Sequence, residues 1–214
     1  MGPDQYPDPM SRPEPQLIGA DDPGALDAAV KVLLRGGTVV LPTDTVYGVA
    51  ALASLPSATE QLFTLKDRSG GQPLAVLVTD ADQARTLFDD TTPDVARWMA
   101  ELWPGPLTLV LARSTAATGL ALGGDGDTVG VRCPDHALVR AIAAEVGPIA
   151  TSSANRHGQP TPTTAAEAAG SLMAPVDLII DGGPAGTVAS TVVDATWGTW
   201  RILREGAITA DRLR

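Results

Sequence analysis

Short runs of apolar and β-branched residues recur along the chain, and helical patterns lie between most of them. Residues 38–41, 73–78, 107–112, 128–132, 148–151, 176–180, 191–195 and 200–203 carry the strand pattern. Each is too short for a buried helix, and most are flanked by Gly, Pro or Asp. Asp22-Pro23 reads as a cap and a first helical residue, with Gly36-Gly37 as the stop. Ser57 with Glu60, and Thr164 with Glu167, have capping-box spacing. Thr92-Pro93 opens a helix through Trp98 to Leu102, and residues 135–146 form another. This alternation confines the chain to an α/β sheet with helical layers. Some neighbouring strand runs have no helix between them, which predicts a twisted mixed sheet and not a purely parallel one.

Residues 1–16 stand apart. Pro3, Pro7, Pro9, Pro13 and Pro15 exclude a helix or a sheet ladder there, so a disordered tail is predicted. Residues 17–214 show no repeat and no later linker, and read as one domain. The first residues have neither the basic start nor the apolar stretch of a signal peptide. No run approaches the ~18 apolar residues of a membrane helix, so the cytoplasm is the expected location. Cys133 is the only cysteine, which excludes an internal disulfide, a Cys-rich zinc site and a redox pair.

Charge narrows the partners. Twenty-five Asp and Glu against fifteen Lys and Arg leave a net charge of -10. Enveloping nucleic acid needs a basic footprint, so direct RNA binding is not expected. A small anion sees only the field of its own pocket. Two of the fifteen basic residues are lysines, Lys31 and Lys66; the rest are arginines.

Walker A, HExxH and GxSxG patterns are absent, and Gly123-Gly124-Asp125-Gly126-Asp127 does not fit GxGxxG. His136 and His157 read as surface or capping residues, not metal ligands, and no protein metal site is expected. Trp98 and Trp103 read as core, while Trp197 and Trp200 flank an apparent hairpin and read as exposed. Polar residues do gather where strands end, the usual ligand position in α/β sheets. Pro42 to Gly48 (PTDTVYG) follows the first strand run and reads equally as a hydrogen-bonded turn or a site. Lys66-Asp67-Arg68-Ser69-Gly70-Gly71-Gln72 supports two readings: cations at a helix C-terminus, or a clamp for phosphate or carboxylate. Thr151-Ser152-Ser153-Ala154-Asn155 ends another strand in small hydroxyls and an amide. Asp181-Gly182-Gly183-Pro184 and Ser190-Thr191 repeat that pattern, and Arg132 is a second candidate clamp.

Taken in order, these segments resemble the YrdC-type family of threonylcarbamoyl-adenylate synthases, from about Leu17 to Ile208. The matching elements are PTDTVYG at 42–48, KxR at Lys66-Asp67-Arg68, WPGPLT at 103–108, VRxPxH at 131–136, SxN at Ser153-Ala154-Asn155, STVVD at 190–194 and LRxG at 203–206. The resemblance implies an α/β, YrdC-like twisted mixed sheet flanked by helices, with a concave ligand groove. It implies an enzyme, a nucleotidyltransferase, that joins L-threonine, bicarbonate (or dissolved carbon dioxide) and ATP into L-threonylcarbamoyladenylate and pyrophosphate. A separate tRNA threonylcarbamoyl-transferase complex would use the product, and Mg2+ is expected with the nucleotide. By position, Lys66 and Arg68 carry the catalytic role. Lys66, Arg68, Gln72, Thr128, Ser153, Asn155 and Arg204 would contact ATP. Thr45, Arg132, Thr151 and Ser190 would hold threonine, Thr151 mainly through its backbone. The chain departs from the pattern at Ser69, Gln72, Leu77 and Ala189; Leu77 stands where many members have a histidine. The chain matches the single-domain form, with closure of the site expected from the N-terminal tail. Two other readings share the fold: an RNA-binding module, and a paralogue with another acyl acceptor.

Overall fold

The computed structural model describes residues 15–67, 71–89, 91–156 and 158–214, and the side chain of Trp197 is not among what it describes. Most of the expected tail, together with Arg68 and His157, lies outside those residues. Ten strands form one sheet: β1 (Gln16–Gly19), β2 (Val39–Leu41), β3 (Gly48–Leu52), β4 (Ala75–Leu77), β5 (Leu107–Ala112), β6 (Thr128–Arg132), β7 (Ile149–Ser153), β8 (Leu178–Asp181), β9 (Thr191–Asp194) and β10 (Arg201–Arg204). Their order is β1-β8-β2-β3-β7-β4-β6-β5-β9-β10. β1, β2, β4 and β5 each have a parallel neighbour, while β2/β3, β3/β7, β4/β7, β5/β6 and β9/β10 are antiparallel. The sheet is therefore mixed, as the helix-free strand neighbours predict. β1 begins at Gln16, inside the span expected to be tail.

Among the described residues six α-helices accompany the sheet: α1 (Ala25–Leu34), α2 (Pro56–Leu65), α3 (Ala81–Arg85), α4 (Pro93–Leu102), α5 (Ala137–Val146) and α6 (Ala165–Gly170). Thr92 caps α4 by accepting from the Val95 amide, and Thr164 caps α6 by accepting from Glu167 N. The other sequence-level start signals shift. Asp22 accepts from Gly24 N and shapes the turn, and α1 begins only at Ala25. Ser57 lies within the first turn of α2 and is no cap, because Pro56 already occupies the first helical position.

Period-two alternation divides the strand residues between two faces. One face buries Val40, Val49, Val76, Leu109, Val131, Ala150, Ile179 and Val193 under α2, α3, α4 and α6. Trp98 anchors this layer, fully buried and donating its indole N–H to Leu213 O. The other face buries Val39, Leu41, Ala50, Leu77, Ile149, Leu178 and Ile180 under α1 and α5. Those two helices pack on each other and reach β2, β3, β4 and β8. The same face continues across β6, β5 and β9 through Gly130, Arg132, Thr108, Val110 and Val192, and there these residues line an open cavity.

Candidate active site

The cavity holds about 270 Å³ and its floor is the strands themselves. Gly48, Ala75, Gly130 and Thr151 keep that floor low. A Cβ at Gly48 would stand 2.9 Å from Thr151 Oγ1, so a larger residue there would have to push the Thr151 hydroxyl aside. Thr45, Thr128, Arg132, Thr151, Ser153, Ser190 and Arg204, all singled out in the sequence, line this one space. They come from five separate segments. A larger hollow of about 690 Å³ lies around Asp89, Thr92, Arg113 and Asp127. There Arg113 already donates to Thr128 O and Leu120 O, so its guanidinium tethers the 113–127 loop to β6.

Arg132 ends β6 almost fully buried. Its Nε donates to Gly105 O at 3.1 Å, its Nη1 to Thr45 Oγ1 at 2.9 Å, and its Nη2 to Asp44 Oδ1. Burial lowers its proton affinity, Asp44 opposes that, and the nearby positive charge of Arg204 lowers it further. Arg204 comes from β10, three strands away, yet points at the same space. Its Nε and Nη2 donate to Ser190 O, and Nη2 also reaches Ser190 Oγ at 3.1 Å. Ser190 Oγ lies 2.9 Å from Thr108 Oγ1. Two guanidinium groups that repel each other across a cavity define a place for an anion.

Other predicted residues sit behind or beside this space. Lys66 caps α2, and Asp67 takes a left-handed conformation with φ 50, which turns the chain there. The Lys66 ammonium is buried and donates to the carbonyls of Ser153 and Asn155, supporting the SxN turn from the far side. Asn155 donates Nδ2 to Gln159 O at 2.7 Å, which fixes the amide orientation. Its Oδ1 is buried and has no hydrogen-bond partner among the described residues. Gln72 is exposed beside the rim residue Pro73. The Thr151 hydroxyl donates to Val49 O, leaving backbone as the main polar surface it offers.

Some contributors carry weaker sequence signals. Thr43, Asp44 and Thr108 lie in the quoted motifs without being singled out, and only their partners on distant segments reveal them. Thr191 is completely buried; its hydroxyl donates to Ile208 O and accepts from Gly206 N and Ile208 N. That knot holds the segment after β10 against Ser190. The Asp181-Gly182-Gly183-Pro184 segment, read as a repeat of the site pattern, does not line the cavity. Tyr47, fully buried, donates to Gly183 O at 2.6 Å and accepts from Gly182 N, so the segment is pinned structurally. Trp200 is exposed, as its place in the sequence predicts, and still packs edge-on against Trp98, ring centroids 5.4 Å apart. His136 occupies the N-cap position of α5 without capping it, and its Nδ1 is buried with no partner among the described residues.

Among the described residues no three His, Cys, Asp or Glu side chains gather as a metal site. None of their helices is long and apolar enough to cross a membrane.

The Sua5/YciO/YrdC family model, described as "Telomere recombination", matches residues 31–206. The chain is 37% identical to the threonylcarbamoyl-AMP synthase of Bacillus subtilis, covering 92% of this chain and 57% of that one. It is 40% identical to the putative threonylcarbamoyl-AMP synthase of Mycobacterium leprae, covering 87% of this chain and 84% of the relative. The crystal structure of Pyrococcus abyssi Sua5 complexed with L-threonine superposes with a TM-score of 0.81 and 32% identity, over 92% of this chain and 59% of that one. The chain belongs to the Sua5/YciO/YrdC family.

Proposed function

We propose that the chain is an L-threonylcarbamoyladenylate synthase, a nucleotidyltransferase that forms the adenylate and pyrophosphate from L-threonine, bicarbonate or carbon dioxide, and ATP. One observation carries the reading: Arg132 and Arg204 converge on a single cavity in a chain whose net charge is -10. Both the threonine carboxylate and the polyphosphate are anions, and these two guanidinium groups face the space they would fill. The relatives named as threonylcarbamoyl-AMP synthases, and the Pyrococcus protein solved with L-threonine, support the same reading.

The chemistry asks for no protein nucleophile. The threonine amine attacks carbon dioxide, and the carbamate oxygen attacks the α-phosphorus, releasing pyrophosphate. The protein's work is to position the reactants and to neutralise negative charge. Arg132 takes the carboxylate, with Thr45 and Ser190 beside it. Arg204, Thr128, Ser153, Asn155 and Gln72 serve the nucleotide, together with the Lys66–Arg68 loop. Cations and hydroxyls do not suit a resident magnesium site, so magnesium enters on the polyphosphate, held by phosphate oxygens. The product passes to a tRNA threonylcarbamoyl-transferase complex. The reading places the chain in the cytoplasm, where ATP, bicarbonate and tRNA meet.

The test is pyrophosphate release from ATP and bicarbonate, with and without L-threonine, and with L-serine as competitor. Release that requires threonine is the expected result. Release independent of any amino acid, or none at all from the folded protein, overturns the reading.

A further inference from the structure

Arg204 reaches the cavity through an irregularity in its own strand. Arg201 stands opposite Asp194 and Ile202 opposite Val193, but it is Arg204 that stands opposite Val192, one residue late. Leu203 is therefore the extra residue of a β-bulge, where two residues of β10 face one of β9. In an unbroken ladder Leu203 would face Val192 and Arg204 would face Thr191. Thr191 and Val193 lie on the helix-covered face, since they pair in register with Leu107 and Leu109 of its apolar core. An arginine aimed there would be buried among apolar side chains. The bulge turns it to the other face, so that Leu203 and Arg204 both line the cavity.

Two anchors hold the extra residue in place. Before it, Ile202 packs on the helix-side core and Arg201 pairs with Asp194 at 3.1 Å. After it, the chain is tied to Thr191. A hydroxyl has one proton and two lone pairs. Thr191 uses all three on the segment beyond the bulge: it donates to Ile208 O at 2.6 Å and accepts from Gly206 N at 3.0 Å and Ile208 N at 2.9 Å. Gly206 lies so near β9 that a Cβ there would stand 2.3 Å from Ala189 O. Sliding β10 back into the flat register would move Gly206 and Ile208 one residue along and give up these contacts. Between the anchors the chain is one residue too long for a ladder, and the surplus is Leu203.

Thr191 itself does not line the cavity; it is completely buried, and its side chain leaves from the opposite face. We infer that Thr191 is a positioning residue for the reaction: from behind the sheet its hydroxyl holds the bulge at Leu203, and the bulge aims the Arg204 guanidinium at the ligand. The inference rests on the reading that Arg204 serves the nucleotide.

Calorimetric titration of the full-length protein with ATP in the presence of Mg2+, run as a double-mutant cycle, tests this. Arg204→Ala is expected to weaken ATP about 10- to 100-fold, the worth of hydrogen bonds to a charged group. Thr191→Val keeps the shape and removes the hydroxyl; it is expected to weaken ATP about 5- to 30-fold, because a misaimed guanidinium keeps only part of its contacts. Thr191→Ser, which keeps the hydroxyl, is expected to restore most of the affinity. In the Arg204→Ala protein, Thr191→Val is expected to change affinity less than about twofold, since residues that act through one another are not additive. Equal loss in the two backgrounds means that Thr191 supports the fold and not Arg204, and overturns the assignment. Thr191→Val that binds ATP as wild type does, or Thr191→Ser as weak as Thr191→Val, also overturns it. If Thr191→Val does not fold, amide exchange in the wild-type protein decides: protection of Gly206 and Ile208 supports the clamp, and exchange at the free-peptide rate overturns it. ATP affinity unchanged in Arg204→Ala refutes this inference while leaving threonine-dependent pyrophosphate release intact as a test of the function. Wild-type protein that binds no ATP overturns the functional reading itself along with the assignment.

Discussion

One face of the sheet does two jobs. On β8, β2 and the near ends of β3, β7 and β4, the residues pointing out of this face are Leu178, Val39, Ala50, Ile149 and Leu77, sealed by α1 and α5. On β6, β5 and β9 the same face presents Gly130, Arg132, Thr108 and Val110, and a cavity lies over them. Backbone geometry is continuous across the boundary, since Leu77 pairs in register with Arg132. Leu77 belongs to both halves, packed in the apolar cluster and lining the cavity. The difference lies in what stands above the strands and in side-chain chemistry. Apolar side chains recruit amphipathic helices, while this floor mixes Val110 and Val192 with glycine, hydroxyl and guanidinium groups, has less apolar surface to bury and stays open. Locating a ligand site in this architecture thus means finding where the helical cover stops.

The largest break in this contrast is Arg132→Ala. It removes the cavity's most buried cation and leaves Asp44 without its partner. Losing one member of such a pair costs about 3–5 kcal/mol, so kcat/KM with threonine should fall at least 100-fold. Steady-state pyrophosphate assays check this, and a variant within tenfold of wild type excludes Arg132 from ligand binding.

Ile142→Ala attacks the covered half instead. Ile142 on α5 is fully buried against the strands. The substitution should cost about 2–5 kcal/mol of stability and leave the KM for threonine unchanged below the melting transition. Denaturant titration with parallel kinetics tests whether the halves are energetically separate; a KM change of tenfold or more shows that they are coupled. Gly130→Leu tests the converse by filling the open half. A Cβ at Gly130 meets only ordinary contacts, the nearest at 3.7 Å, so the backbone tolerates it and the rest of the side chain enters the cavity. Crowding worth about 1–3 kcal/mol weakens ligand binding roughly 10- to 100-fold, with little change in melting temperature.

The contrast also explains what was legible in the sequence. β2, β5, β6 and β9 are β-branched or leucine-rich runs, and any reading of periodicity finds them. β3 is Gly48-Val-Ala-Ala-Leu52, alanine-rich and without alternation, because both of its faces are covered, one by α2 and the other by α1. β1 hides at the end of a proline-rich stretch and becomes a strand only by parallel pairing with β8. The site was readable as motifs, because Arg132, Ser190 and Arg204 stand in recognisable contexts. The partners that orient them were not. Thr108 meets Ser190 across 82 residues, and Asp44 meets Arg132 across 88. Such pairings depend on strand order, which local sequence does not encode.

The smallest effect concerns the seam where α5 begins. Burial lowers the proton affinity of His136; Asp44 and Asp135 oppose this, while Arg140 reinforces it. The native imidazole therefore protonates at lower pH than the unfolded one, whose ordinary value is about 6.5. Between those two values the unfolded chain binds more protons, so stability rises with pH across the window and falls on acidification. Melting temperatures of wild type and His136→Asn, compared at pH 7.5 and 5.5, should show the larger acid loss in wild type. His157 is common to both proteins and cancels in the comparison. An equal loss in both would mean that protonation at His136 is as easy in the native state as in the unfolded one, and that the seam is as well solvated as the open half of the sheet.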